Sequence, residues 1–426
     1  MERLMQYVWQ HRLWVAGQLR TSDGRRVTVV DQGRLNSDAG PDFFNAKVSI
    51  DGEMWAGDVE IHVRASDWHR HGHDGNPAYD SVVLHVVGVS DCTVTRSDGS
   101  PIPQLTMPCS PDFHHRYNAM VNNPYGELPC ARELAGVPDI FVRDWINALA
   151  HERLYTKSDR VLGYVAESGG DWRNAAYITL ARALGFKTNS EPFERLARSL
   201  PLRRLMKHRD SPEAVEGMLF GMAGLLDAQT GNPDHYVQRM IQEYRLMAAK
   251  FQMKPPQGLG WKMARMRPQN FPHRRLAYLA ALMHDGFVPG HAVNVETLEE
   301  ARSLFRLDLK GYWSRRYSFD SETSPTVRAI SDRMIDSLVI NMVIPVLHAY
   351  GVAHDDDRRT ERAVEMMQRI KGEDNVYTRL FDSLGIKCGD AYTSQALIQL
   401  RTEYCDSRKC LYCRIGHRLL AARVAP

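Results

Sequence analysis

Between residues 43 and 63 the chain alternates between apolar and polar side chains. Phe43 to Ile50 and Met54 to Val63 read as two strands joined by Asp51-Gly52, a two-residue hairpin signal. Side chains at 58, 60, 62 and 64 share one face of the second strand, and those at 59, 61 and 63 share the other. The first set is Asp58, Glu60, His62 and Arg64; the second is Val59, Ile61 and Val63. Upstream, residues 3–15 place Leu4, Val8 and Leu13 near one helical stripe, with Trp9 and Trp14 beside it. Val27 to Val30 forms a short aliphatic strand. Downstream, Ser81 to Val89 is almost continuously apolar, the pattern of a strand buried on both faces. Cys92 to Thr95 and Ile102 to Met107 predict another hairpin around Ser97-Asp98-Gly99.

After Pro108 the texture changes. Pro124, Pro129 and Pro138 punctuate a connector, and beyond Asp139 the periodicity is helical. The predicted spans are 139–168, 171–185, 212–228, 234–251, 296–306, 325–344, 359–370 and 393–404. Asp139, Ser211 and Thr393-Ser394 supply helix starts. The predicted class is α+β. A small mixed-sheet α/β domain (1–110) and a connector (111–138) precede a larger all-helical domain (139–426) that carries a late cysteine cluster.

Composition changes this picture little. The 426 residues exceed what one compact core usually holds. At 43% hydrophobic and 25% charged, the composition is ordinary for a globular chain, and a net charge of +3 names no partner. No run reaches the ~18 consecutive apolar residues of a membrane span. The first 14 residues are amphipathic, with Glu2, Gln6, Gln10 and His11 interrupting any signal-like core. These patterns predict a cytoplasmic protein with no membrane partner; they say nothing of oligomeric state. Seven cysteines, three of them within nine residues, suit metal ligation better than a disulfide framework.

The alternating face carries the most pointed chemistry. A tight hairpin returns Asp42 towards Glu60 on the neighbouring strand. Two carboxylates with retained waters are what Mg²⁺ (or Mn²⁺) accepts. His62, two residues after Glu60, is positioned to prepare an attacking water, Arg64 to stabilise charge, and Asp58 to act as a reserve ligand. A strand with one wet face would alternate in the same way. Pro41-Asp42 and Glu60-x-His62 resemble the signature of the PD-(D/E)XK nuclease superfamily, with His62 where that superfamily has lysine. The resemblance covers about the first quarter of the chain. It implies a restriction-endonuclease-like core and metal-dependent phosphodiester hydrolysis. It also implies a contribution from the first helix, through Glu2, Gln6 or Gln10. Without the lysine's fixed charge, a nuclease-like core that binds nucleic acid or serves as a scaffold without turnover is the alternative. The stretches LNSDAGPDFFNAKV, GDVEIHVRASDWHRHGHD and CLYCRIGH, taken together, resemble an uncharacterised bacterial family, which implies no activity.

Three further patterns stand out. His69, His71 and His73 follow the acidic strand, as a polar connector between strands would; if His62, His69, His71 or His85 gather with Glu60, the site suits a transition metal and a small-molecule reaction. Cys405-x4-Cys410-x2-Cys413 supplies three ligands for zinc or an Fe–S cluster, with Cys130, Cys388 or His417 as fourth. Some nucleases of the resembled superfamily use three late cysteines and one distant one for an iron–sulfur cluster, which implies the distant role for Cys130. Between Arg239 and Arg275 cations abound, Glu243 is the only acid, and aromatics are interleaved. Lys254, Trp261, Lys262, Arg265, Arg267, Arg274 and Arg275 are the residues expected to meet nucleic acid.

Overall fold

The computed structural model describes residues 1–14, 19–36, 39–107, 111–122, 128–226, 234–324, 326–327 and 330–421. Pro108 and Pro124 lie outside the described residues, as do residue 15 of the first expected helix and residues 227–228 of another. The chain forms two units: Met1–Trp145 with Leu400–Pro426, and Ile146–Gln399. The boundary differs from the expected one, because the late cysteine segment belongs with the N-terminal residues.

The first unit is built on a sheet of strands β1 (Val27–Asp31), β2 (Arg34–Leu35), β3 (Phe43–Ile50), β4 (Glu53–Arg64), β5 (Val82–Val89) and β6 (Gln104–Thr106). Its order is β1-β3-β4-β5-β6, with β2 also pairing β3. β1, β3 and β4 run antiparallel; β4, β5 and β6 run parallel. Asp51 (φ 50°) and Gly52 (φ 92°) both adopt positive φ, the geometry that a two-residue hairpin turn demands. The expected hairpin after Cys92 shrinks to a single bridge, Thr95 to Pro101, and β6 pairs with β5 instead. Gly57 on β4 sits so close to β5 that a Cβ would lie 2.4 Å from Val83 Cγ1. Helix α1 (Glu2–Gln10) ends sooner than its apolar stripe, and Arg12 turns out of it at φ 52°. Leu4, Met5, Val8 and Trp9 of α1 enter one core with Val48, Val59, Ile61, Leu84 and Val86, as do Cys410, Leu411 and Leu420.

The second unit is mostly helical, though not wholly so: Arg316–Ser318 and Ser321–Glu322 form a two-stranded ribbon. Most expected helices are present, among them Trp172–Leu184, His235–Phe251 and Asp357–Arg369. Pro272–His284 is helical although it lies outside every predicted helical span, with proline in the first turn where its missing N–H costs nothing. Among the described residues, one helical stretch, Asp332–Ala353, is long and apolar enough to cross a membrane; 72% of its apolar window is buried in the protein. It widens into a π-turn at Val339–Val343, just ahead of Pro345, which has no N–H to continue the regular ladder.

Two buried imidazoles tie this unit's stability to pH. His348 Nδ1 lies 2.9 Å from Ser158 Oγ, and burial pulls its pKa down to about 4. Burial likewise pulls His273 down to about 4. Each binds fewer protons folded than unfolded, where its pKa is about 6.5. Their contribution is therefore present above pH ~6.5 and lost as pH falls towards ~4. The denaturation midpoint of the Ile146–Gln399 unit is expected to drop across that window, and His273→Gln with His348→Gln to flatten the slope. An unchanged slope in the double variant contradicts this assignment.

Candidate metal centre

β4 lies between β3 and β5, so side chains from its second half are enclosed on both sides. Glu60 is 5% exposed, His62 1% and the neighbouring His85 of β5 0%. The strand register sets His85 opposite Glu60. Asp42, at the entrance to β3, meets Glu60 as the hairpin requires, but through its backbone: the Asp42 N–H donates to Glu60 Oε2 at 3.0 Å. The Asp42 carboxylate accepts from Gln6 Nε2 of α1 (2.9 Å) and from the Ile61 N–H (3.0 Å). Burial and the adjacent Glu60 push its pKa up to about 7. Gln6, expected only as one of three possible helix contributors, is the one that reaches Asp42.

The other oxygen of Glu60 faces imidazoles. Glu60 Oε1 lies 3.2 Å from His73 Nε2 and 3.5 Å from His62 Nε2. His62 Nε2 also lies 3.1 Å from His71 Nδ1. One ring nitrogen from each of His62, His71 and His73 falls within 4.8 Å of the other two. Ligand atoms set tetrahedrally about a zinc-like ion, each about 2.0–2.1 Å away, are about 3.3–3.4 Å apart. The observed spacings bracket that edge length. His73 Nε2 is buried and, among the described residues, has no hydrogen-bond partner despite its closeness to Glu60. The three imidazoles are within reach of one ion, and Glu60 Oε1 lies beside two of them, His62 and His73.

The surroundings fix these rings. His85 Nε2 lies 2.9 Å from His62 Nδ1, which leaves His62 Nε2 to point at Glu60 and His71. Burial pulls both His62 and His85 down to about 3, with neighbouring imidazoles adding to the effect. Both are therefore neutral near pH 7, the form that binds metal. Tyr79 stacks on His73 at 3.8 Å, and Trp68, fully buried, sets its edge against His73. Neither aromatic was marked by the sequence pattern. The turn that follows β4, with helix α2 (Asp67–Arg70), curls back and delivers His71 and His73 to the strand they have just left. His69 goes elsewhere, pairing with Asp74 at 2.6 Å in solvent.

Two residues of the alternating face do not join this group. Asp58 sits where the pairing slips on both sides, beside Asn45 at φ 58°. Its carboxylate accepts from the Asn45 N–H (2.9 Å) and Ser81 Oγ (2.6 Å), so it closes the bulge rather than acting as a reserve ligand. Arg64, with its side chain 53% exposed, lies 3.6 Å from Asp91 instead of beside the carboxylates. A regular alternation could not foresee either displacement.

The expected nucleic-acid residues divide. Lys254, Lys262, Arg265 and Arg267 are exposed, and Trp261 is half-buried with its N–H on the Ala223 carbonyl. Arg274 and Arg275 are fully buried, which removes them from any phosphate-binding surface. Arg274 instead donates to the carbonyls of Trp313, Arg316 and Val327, and Arg275 to Asn270 Oδ1 while its guanidinium lies over Phe186. Cys130, Cys405, Cys410 and Cys413 all belong to the first unit; Cys388 belongs to the second, beside the Asp390 carbonyl.

Asp58→Ala is expected to destabilise the first unit by only about 0.5–1.5 kcal/mol, because the bulge hydrogen bonds it removes are exposed and water can replace them. It should leave metal affinity unchanged. Thermal denaturation and a Zn²⁺ titration check the pair of outcomes; lost affinity in a folded variant would make Asp58 a ligand after all.

No curated protein and no solved structure matches the chain. Residues 2–376 match the model of a family described as protein of unknown function, DUF2851, and the chain belongs to that family.

Proposed function

We propose that the chain is a metal-dependent phosphodiester hydrolase whose ion is held by Glu60, His62 and His73, with exposed His71 on the solvent side. The observation that carries this reading is His73 Nε2, buried without a hydrogen-bond partner among the described residues and 3.2 Å from Glu60 Oε1. A cation between them satisfies both. Zinc, manganese or iron suits the donor set, in place of the Mg²⁺ expected from two carboxylates alone. When bound, such an ion lowers the pKa of a water and supplies a nucleophile near neutral pH.

The chain's own residues prepare that chemistry. His85 orients His62 through Nδ1 and keeps Nε2 facing inward. Tyr79 and Trp68 hold His73 in place. Asp42 fixes Glu60 by its N–H, while Gln6 and the Ile61 N–H fix Asp42. His71, exposed, is the ligand able to give way to substrate.

A nucleic-acid substrate is supported by the nuclease-like Pro41-Asp42 and Glu60-x-His62 pattern and by the exposed cations Lys254, Lys262, Arg265 and Arg267. The sheet's antiparallel β1-β3-β4 followed by parallel β5 supports a restriction-endonuclease-like identity for the core. The second reading is a nucleic-acid-binding or scaffold protein without turnover. It is favoured by His62 in place of lysine and by Arg64 pairing with Asp91.

Purified protein with Mn²⁺ or Zn²⁺ is expected to cleave single-stranded DNA, plasmid or RNA. Glu60→Gln and His73→Gln should each lower the rate by about 100-fold with the fold retained by circular dichroism. Equal cleavage by the variants removes the centre from the reaction. No cleavage with salt-sensitive retention of nucleic acid selects the second reading. Bound metal without nucleic-acid affinity selects a small-molecule substrate.

A further inference from the structure

The two buried arginines of the Ile146–Gln399 unit are both 0% exposed, but they are satisfied differently. Arg274 donates to three backbone carbonyls. Arg275 uses one nitrogen: Nη2 donates to Asn270 Oδ1 at 2.8 Å and lies 3.1 Å from Met334 Sδ. Its Nε and Nη1 are buried and, among the described residues, have no hydrogen-bond partner. Burial and the adjacent Arg274 pull its pKa down to about 9, and among the described residues no carboxylate opposes them. Arg275 is therefore still a cation at neutral pH. A buried charge without a counter-charge is costly until one is supplied.

Three side chains that touch this guanidinium, Asn270, Met334 and Phe186, also line a cleft of about 360 Å³, the size of a small-molecule site. The Phe186 ring centroid lies 4.8 Å from Arg275 Cζ. The acids of the cleft are already engaged. Asp336 pairs with Arg302 at 2.7 Å and Asp374 with Arg379 at 3.5 Å, while Glu373 accepts from Gln395 and Ser394. The cations Arg333 and Lys371, which also line it, are exposed and form no ion pair among the described residues. The charge left over is positive. Asn270 carries it forward: with Oδ1 accepting from Arg275, Nδ2 remains as a donor for a ligand. A strained backbone marks the same place. Phe186 (φ 44°) and Lys187 (φ 68°) take left-handed backbone, which bulky residues adopt at a cost, and Phe186 is shared by the guanidinium and the cleft.

We propose that this cleft binds a small phosphate monoester with a flat apolar body, of nucleoside monophosphate size, through Arg333, Lys371 and Asn270 with the charge of Arg275 behind them. Two exposed cations and a buried third suit a dianion better than a single carboxylate. The cleft is far larger than a phosphate group, and Phe186, Met334 and Ile340 offer apolar surface for the remainder. A polymer backbone cannot reach Arg275, but a small anion in the cleft comes within range of its charge. The site lies in the second unit and does not rest on the hydrolase reading.

The test is calorimetric titration of the full-length protein with adenosine monophosphate, phenyl phosphate, adenosine and inorganic phosphate, with EDTA present so that the histidine centre holds no metal. Saturable binding of at least one of the two monoesters is expected, with adenosine and inorganic phosphate each weaker by about tenfold or more. Arg333→Ala with Lys371→Ala, both at exposed positions, should weaken the bound monoester by about tenfold or more, and Glu60→Gln should leave it unchanged. Asn270→Asp supplies the missing counter-charge from within. It should raise the melting temperature of the unliganded protein and abolish monoester binding, a pairing that a misfolded variant does not produce. Three results overturn the proposal: neither monoester binds, adenosine binds as tightly as its monophosphate, or binding persists at full strength in the double variant or in Asn270→Asp. Loss of binding in Glu60→Gln alone also overturns it, because the ligand then sits at the histidine centre.

Discussion

The Glu60 carboxylate is the constraint around which the first unit is arranged. A charge 5% exposed in the middle of a sheet is tolerable only when each oxygen has a partner. One oxygen takes the Asp42 N–H; the other is turned to His62 and His73. The first of these bonds fixes where β3 begins relative to β4. The second requires the turn after β4 to curl back until His73 reaches the strand. Moving either strand by one residue would put Glu60 on the aliphatic face and leave the imidazoles facing nothing, since strand side chains alternate.

The periodicities that carry strong local signals were legible. β3 matches its expected span residue for residue, β4 and β5 to within a residue or so, because alternation, Asp51-Gly52 and a continuous apolar run are all short-range features. The closeness of Asp42 and Glu60 followed from the hairpin alone. What was not legible depends on bulges and on returns of the chain. Asp58 should share a face with Glu60 by strict alternation, yet the slips beside Asn45 recruit it to a backbone N–H. His73 could not be told from His69 by spacing. Only the tertiary fold buries one against Glu60 and leaves the other paired with Asp74.

The basic stretch shows the same limit in the other unit. Charge density read along the chain groups Arg265 with Arg274, although one is exposed and the other satisfies three backbone carbonyls in a core. A guanidinium has enough donors in a rigid fork to pin several loop carbonyls at once, and burial at no exposure is the result. Helix Pro272–His284, which falls outside the predicted helical spans, carries both buried arginines on its first turn.

The first unit is assembled from two stretches of chain separated by the whole of Ile146–Gln399. Cys410, Leu411 and Leu420 complete a core whose other buried members lie among the first 120 residues. During synthesis, therefore, the sheet leaves the ribosome long before its last packing partners exist. The intervening helices can consolidate while it waits with apolar surface uncovered. Such long sequence separation slows closure and leaves the early segment prone to sticking to its neighbours. A chain organised this way is expected to lean on chaperones until its final residues emerge.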